Sequence, residues 1–79
     1  MADSWFAYDD SGDVCCPLNY TRVALPNCPD PNQRLCAIFA TIQIIGGVQR
    51  PIIPPALCTE IQVALSTLTE SANVLLKPN

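Results

Sequence analysis

A twelve-residue run, RLCAIFATIQII from Arg34 to Ile45, constrains the fold of this chain more than any other feature. It carries no charge after its first residue and is rich in β-branched and aromatic side chains, which favour an extended strand. The run stops at Gly46-Gly47, a pair typical of tight hairpin turns. We therefore expect it to form the central strand of a β-sheet.

Both faces of this predicted strand are largely apolar. Successive side chains of a strand point to opposite faces, so one face is wholly apolar and carries Ile38, Ala40, Ile42 and Ile44. The mixed face carries Phe39 with Leu35 and Ile45, and also Thr41 and Gln43. A strand open to water on one side would alternate cleanly between apolar and polar residues. Either a compact sheet buries the strand fully, or a neighbouring copy covers the mixed face through Leu35, Phe39 and Ile45.

The rest of the chain predicts shorter elements around this strand. SWFAYDD at 4–10 favours a first strand, and the four prolines at 14–32 predict a long ordered loop with room for a short strand at YTRVAL. NVLLKPN, at 73–79, favours a last strand. PALCTEIQVALSTL predicts an amphipathic helix of about three turns that covers the wholly apolar face. Its apolar residues at helical spacing are Leu57, Ile61, Ala64, Leu65 and Leu68.

The chain has 79 residues, and a core of that size leaves a thin stability margin that small proteins usually supplement with covalent or metal cross-links. Its five cysteines are a density typical of chains that mature in an oxidising compartment. Zinc is the weaker explanation, because the chain has no histidine and no C-x-x-C pair. We therefore expect an α+β fold in a single domain, 1–79: a small disulfide-stapled domain with a short β-sheet and one amphipathic C-terminal helix.

Composition disfavours several classes of function. The net charge is −3 and the four cationic residues are scattered, which argues against a nucleic-acid partner. No segment reaches the roughly 20 apolar residues of a membrane-spanning helix. A cysteine nucleophile would have no histidine as its base, so we expect no enzyme activity, and the sequence indicates no cofactor or metal. The start, MADSWFAYDD, lacks the pattern of a signal peptide, so an exported protein would have this sequence in its mature form.

Several segments together resemble a known group of proteins. They are WFAY near the start, LPNCPDPNQRLCAIFA in the middle, RPII and EIQVAL after it, and NVLLKP at the end. The chain resembles small exported proteins of Bacteroidetes bacteria, a group without an established function. The resemblance implies a signal peptide removed during export and a disulfide between Cys28 and Cys36. It carries no catalytic residues to this chain.

The spacing of the cysteines bears on the same pairing. Seven residues with two prolines separate Cys28 from Cys36, and such a segment favours a turned path. We expect Cys58, at the start of the predicted helix, to bond Cys15 or Cys16, since adjacent cysteines rarely bond each other. The remaining cysteine of that pair either stays free or links two copies of the chain.

The charged share of the chain is only 14%, against about a quarter in typical soluble domains. Sparse charge, a strand that is apolar on both faces and an odd cysteine together favour self-association. We expect a secreted structural protein, at the cell surface or outside the cell, that associates with copies of itself as the subunit of an extracellular filament or coat. The alternative is a monomeric secreted binding module or inhibitor that acts through its proline-rich loops.

Overall fold

The long apolar run forms one long strand, and each of the other strands joins it directly or through one neighbour. The computed structural model describes residues 3–29 and 32–78. In chain order its elements are β1 (Asp3–Tyr8), a short 3-10 helix (Pro17–Asn19), β2 (Tyr20–Val23), β3 (Arg34–Ile45), β4 (Val48–Pro51), α1 (Pro55–Thr67) and β5 (Val74–Lys77). The predicted α+β fold with one C-terminal helix is confirmed.

The central strand, β3, pairs antiparallel with three other strands. Its first half lies between β1 and β5, and Ile38 stands opposite both Phe6 and Val74. Its second half pairs with β4 across the turn at Gly46-Gly47, where both glycines have positive φ. Positive φ at both central residues is what a two-residue hairpin with matching twist requires. The predicted hairpin is therefore confirmed.

The sheet curls so that β2 and β4, which are not neighbours in it, approach each other. Two arginines bridge the approach: Arg50 Nη1 donates to the Tyr20 carbonyl at 2.5 Å, and Arg22 Nη1 donates to Gln49 Oε1 at 3.2 Å. The curl gives the sheet a concave inner face, on which the core lies.

Helix α1 begins at a proline, as predicted, and buries Leu57, Ile61 and Ala64 against the inner face. Ile38 and Ala40 lie in the same cluster, so the predicted contact between the helix and the wholly apolar face is confirmed for these side chains. The complete cluster is Phe6, Tyr20, Leu35, Ile38, Ala40, Leu57, Ile61, Ala64, Val74 and Leu76, with Ile42 and Leu65 packed against it.

Two of the predicted core positions are wrong. Ile44 is 63% exposed and Leu68 is 50% exposed. Ile44 lies where β3 has passed beyond β1 and β5 and pairs only with β4. Leu68 ends the helix in the left-handed conformation, with its N–H bonded to the Ala64 carbonyl. Neither position is covered by the packed part of the helix.

A β-bulge near the start of β3 corrects a third prediction. The register against β5 shifts between Leu35 and Ala37, so that Leu35 faces inward in phase with Ile38. A bulge adds one unpaired residue and thereby reverses the alternation of faces. Leu35 is consequently 2% exposed and belongs to the core, so the prediction that it shares the mixed face with Phe39 is wrong.

Two disulfides cross-link the chain, Cys15 with Cys58 and Cys28 with Cys36. Both predicted pairings are confirmed, and the choice left open between Cys15 and Cys16 falls on Cys15. The Cys16 thiol is unpaired and half-buried. The first disulfide ties the start of α1 to the loop after β1, and the second ties the proline-rich loop to β3.

Tyr20 anchors the loop between β1 and β2. Its ring is fully buried beside that of Tyr8, and its hydroxyl donates to the Val14 carbonyl at 2.5 Å. Burial raises the pKa of the Tyr20 phenol above its ordinary value. At the exposed start of the loop, a hydrogen bond from Ser11 lowers the pKa of the Asp9 carboxyl.

The first prediction compares two isoleucines of β3. Ile38→Ala should lower the free energy of unfolding by about 2–5 kcal/mol, because it opens a cavity at a residue that is fully buried. Ile44→Ala, at the exposed end of the same strand, should change it by less than about 0.5 kcal/mol. Urea titrations of both variants under non-reducing conditions measure the difference. Equal losses would contradict the inward and outward assignment of β3.

The second prediction ranks the disulfides. In the chain-entropy model, removing the Cys15–Cys58 link, which spans 43 residues, should cost about 4 kcal/mol. Removing the Cys28–Cys36 link, which spans 8, should cost about 2.5 kcal/mol. Double replacements by serine, followed by denaturant unfolding, give the two values. The reverse order would show that strain or structure in the unfolded chain outweighs loop length.

The third prediction concerns alkaline pH. Because the pKa of Tyr20 is raised in the folded chain, the unfolded chain releases the phenol proton first as the pH rises. This contribution to stability is complete below about pH 10 and is lost above it. Tyr20→Phe should remove the alkaline loss and also cost about 0.5–1.5 kcal/mol near neutral pH, because the hydrogen bond to Val14 disappears.

The measurement for Tyr20 is urea unfolding at a series of pH values, made in a Cys16→Ser background. A free thiolate would otherwise attack the disulfides at alkaline pH. Tyr8→Phe is the matched control, because it removes a neighbouring phenol and leaves Tyr20 in place. An alkaline loss that persists in Tyr20→Phe and disappears in Tyr8→Phe would contradict the assignment.

Candidate association surface

An aromatic pair lies on the outer face of the sheet, opposite the helix. Trp5 of β1 stands directly across from Phe39 of β3, and their ring centroids are 5.1 Å apart at an angle of 60°. Both side chains alternate with fully buried neighbours, Phe6 and Ile38, which point to the inner face. Val23 of β2 is opposite Trp5 and continues the row. We call Val23, Trp5 and Phe39 the association face.

All three side chains of the association face are half-buried. Helix α1 packs on the inner face, where it covers Ile38 and Ala40. Two aromatic rings and a valine thus remain partly open to water in one row across three strands. Aromatic side chains carry a large apolar area and are enriched in the interfaces between proteins.

A second apolar patch lies at the end of the β3–β4 hairpin. Ile44, Ile45 and Val48 flank the two turn glycines and are all exposed, and Ile45 stands opposite Val48. We call these three residues the hairpin tip. Isolated exposed apolar residues are ordinary on protein surfaces, but adjacent ones at a projecting turn form a patch.

Two polar residues separate Phe39 from the hairpin tip along β3, and both are satisfied within the chain. Thr41 Oγ1 donates to Asp3 Oδ1 at 2.7 Å, and Gln43 Nε2 donates to the Pro51 carbonyl at 2.8 Å. A polar group that already has a partner costs less to remove from water than an unpartnered one. The strip between the two apolar patches is therefore compatible with burial.

A cleft of about 350 Å³ adjoins Phe39 where β3 passes from β5 to β4. Asp3 and Glu60 both line it. The carboxylate of Glu60 accepts hydrogen bonds from Ser71 Oγ and from Asn73 Nδ2, so it joins α1 to the turn before β5. This use of the carboxylate is structural. Among residues 3–29 and 32–78, no group of three or more histidine, cysteine or acidic side chains is placed to hold a metal ion.

Each of the four cationic side chains has a partner within the chain. Asp10 bonds both Arg34, at 3.0 Å, and Lys77, at 3.3 Å. The two remaining arginines join β2 to β1 and to β4. The cationic side chains therefore join elements of the fold and do not form one basic surface.

Of the residues that the sequence predicts for self-association, Phe39 and Ile45 are at least partly open to solvent, and Leu35 lies in the core. Trp5 is a member of the surface that is absent from the sequence-based prediction. Adjacent residues of a strand lie on opposite faces, as Trp5 and Phe6 do, but only the register of β1 against β3 shows that Trp5 lies beside Phe39.

The proline-rich loop presents a different exposed side chain. Leu25 is 86% exposed, the largest value among the exposed large hydrophobic residues of the described chain. The Cys28–Cys36 disulfide ties the following part of the loop to β3, where Cys36 itself is buried. The loop thus offers one apolar contact beside a covalent anchor.

Comparisons with family models, with curated proteins and with solved structures give no match to this chain. The resemblance to small exported Bacteroidetes proteins stays a prediction. Within the described residues, no helix has the length and apolar character needed to cross a membrane. The two disulfides are compatible with an extracellular location, because such bonds persist in oxidising compartments.

Proposed function

We propose that this protein is an exported structural protein that associates with copies of itself, as the subunit of an extracellular filament or coat. The observation that carries the proposal is the Trp5–Phe39 pair, which stays partly open to water on the outer face while α1 covers the inner face. A chain with few charges and an aromatic row on an open sheet face gains apolar burial by association.

The side chains of the association face are large enough for their burial to contribute measurably to the free energy of association. Complete burial of one large apolar side chain contributes about 1.5–3 kcal/mol. A stable interface also needs about 800 Å² from each partner, so the association face must be extended by its surroundings. Thr41 and Gln43 supply part of that extension, because both are already hydrogen-bonded within the chain.

The positions of the two patches favour a filament over a closed dimer. The association face and the hairpin tip are different surfaces of one chain, and the tip projects beyond β1 and β5. If the tip of one copy contacts the face of the next, the contact is heterologous. Such contacts repeat without closing unless the rotation happens to form a ring.

The export part of the proposal is supported by the disulfides. Four of the five cysteines form two disulfides within the chain, and the thiol of Cys16 is left over. A small protein stabilised in this way suits an oxidising environment, where its links are not reduced. Covalent cross-links also suit a structural protein that must last outside the cell.

A separate observation supports a second candidate function. Leu25 projects from the proline-rich loop, and the disulfide beside it limits the conformations that the loop must give up on binding. A monomeric secreted binding module or inhibitor would insert Leu25 into an apolar pocket of another protein. If the protein has this function, a substitution of Leu25, and not of Phe39, should weaken binding to the other protein.

The fourth prediction tests self-association with matched variants. Phe39→Ser should weaken association about 10- to 150-fold, because it removes one large apolar side chain from the contact. Leu25→Ser, which removes an exposed apolar side chain elsewhere, should leave association unchanged. Sedimentation velocity and electron microscopy of non-reduced protein measure the two outcomes. A monomeric wild-type chain at all concentrations would contradict the proposal.

Complementation separates a heterologous contact from a symmetric one. Val48→Ser damages the tip, and Phe39→Ser damages the face, so each variant alone should fail to polymerise at protein concentrations just above those at which the wild type assembles. Mixed together, the intact face of one and the intact tip of the other should form dimers that do not grow further. A symmetric contact between two association faces would instead leave Val48→Ser with normal assembly and give no rescue on mixing.

A further inference from the structure

A free thiol and a disulfide occupy adjacent residues where the loop after β1 meets the start of α1. Cys15 is bonded to Cys58, and the next residue, Cys16, carries an unpaired thiol. All three cysteines are half-buried, so none of them is enclosed in the core. A thiolate can attack either sulfur of a disulfide and displace the other. Exchange therefore depends on which of the two sulfurs Cys16 can reach.

Cys58 is the sulfur that Cys16 can attack without strain. Attack on Cys15 would join adjacent residues, and a disulfide between neighbours is strained. The Cα atoms of Cys15 and Cys58 are 5.3 Å apart, so that of Cys16 lies at most about 9 Å from Cys58. A disulfide joins Cα atoms up to about 6.8 Å apart. The loop must therefore bring Cys16 closer by about 2 Å or less.

The loop is the side of the link that can move. Cys58 belongs to α1, and Leu57 beside it is buried against the sheet. Cys16 is held by backbone hydrogen bonds within the loop, to the Asp13 carbonyl at 3.2 Å and from the Asn19 N–H at 3.1 Å. Hydrogen bonds of a surface loop open at a smaller free-energy cost than a packed helix does. A shift of the loop thus leaves α1 in place.

A side-chain amide lies against both bonded sulfurs. Gln62 Nε2 is 3.6 Å from Cys58 Sγ and 3.8 Å from Cys15 Sγ. Gln62 follows Cys58 by four residues on α1, so the helix holds this amide beside the disulfide. A hydrogen bond strengthens when its acceptor becomes charged. The amide is therefore placed to stabilise a sulfur that leaves the disulfide as a thiolate.

The two alternative links close loops of nearly equal length. Cys15–Cys58 spans 43 residues, and Cys16–Cys58 would span one fewer. In the chain-entropy model the two links therefore constrain the unfolded chain almost equally. Their difference in free energy comes from local contacts of the loop, among them the hydrogen bond from Tyr20 to the Val14 carbonyl.

We propose that Cys16 exchanges with the Cys15–Cys58 disulfide inside the folded chain, with Gln62 stabilising the leaving thiolate, so that α1 has two alternative covalent partners in the loop. The Cys16 thiol loses its proton to water, its sulfur attacks Cys58 Sγ, and the bond to Cys15 breaks. The electron pair of that bond leaves on Cys15, which takes up a proton from water. One disulfide and one thiol are present before and after, so no oxidant or reductant is consumed.

The exchange gives the protein a conformational switch at the start of α1. It moves the free thiol by one residue and draws the loop toward the helix, which pulls the Val14 carbonyl away from the Tyr20 hydroxyl. The thiolate is the attacking species, so the switch operates only while Cys16 is free. It needs a single copy of the chain, and Phe39→Ser should exchange like the wild type whether or not the association face fails its own test.

Alkylation of the free thiol follows the exchange. Dilute protein is held at mildly alkaline pH, quenched with acid, alkylated with a maleimide and fragmented between residues 15 and 16 by mass spectrometry. We expect the label on Cys16 at the start and a growing share on Cys15, at a rate that further dilution leaves unchanged. Label on Cys16 alone at every time would overturn the proposal, and so would a rate proportional to protein concentration.

Matched glutamine variants test the amide. Gln62→Leu removes the donor at similar size and should slow the exchange about tenfold, because a hydrogen bond to the leaving thiolate is lost. Gln49→Leu changes an exposed glutamine of β4 and should leave the rate unchanged. Equal rates in the two variants would overturn the role of Gln62.

Two further variants separate exchange in the folded chain from exchange through unfolding. Ile38→Ala weakens the core and raises the unfolded population, so an unchanged exchange rate is expected if only the loop moves. A rate that rises with the unfolded population would overturn the proposal. Cys15→Ser should form the Cys16–Cys58 link in a folded chain, and a folded Cys15→Ser chain with two free thiols would overturn it as well.

Discussion

Ile38 has a strand on each side of it, with Phe6 of β1 opposite one edge and Val74 of β5 opposite the other, and all three side chains are fully buried. This row brings together segments far apart in the sequence. Ile61 of α1 covers the same core. The inner core cluster, the open outer face and the position of β5 at the edge of the sheet all follow from the pairing of the first half of β3 with β1 and β5.

The sequence predicted β3, its hairpin, α1 and the Cys28–Cys36 disulfide because each depends on short-range information. Strand propensity and the glycine pair define β3 and its turn, and helical spacing with a proline in the first turn defines α1. The pairing of Cys58 needed only that the helix pack near the loop after β1. The choice of Cys15 over Cys16 depends on side-chain direction, which the pattern of residue types does not contain.

The predictions that proved wrong concern the face of the sheet to which a side chain points and the burial of residues at the ends of elements. The inward turn of Leu35 results from a bulge, and a single extra residue reverses the predicted face without leaving a sequence signal. Ile44 has the composition of a core residue but lies where β3 has no strand on its other edge. The association face required the register of β1 to bring Trp5 beside Phe39, and register between strands distant in sequence is a property of the folded chain.

The Cys15–Cys58 disulfide closes a ring of chain that contains β2, β3 and β4, with the Cys28–Cys36 ring nested inside it. Strands β1 and β5 lie outside the larger ring on opposite sides of it in sequence. A force that pulls the two ends of the chain apart would separate these two strands from β3. The Cys15–Cys58 disulfide would then carry the load. The protein can therefore lengthen under load by a limited amount while its central hairpin stays enclosed.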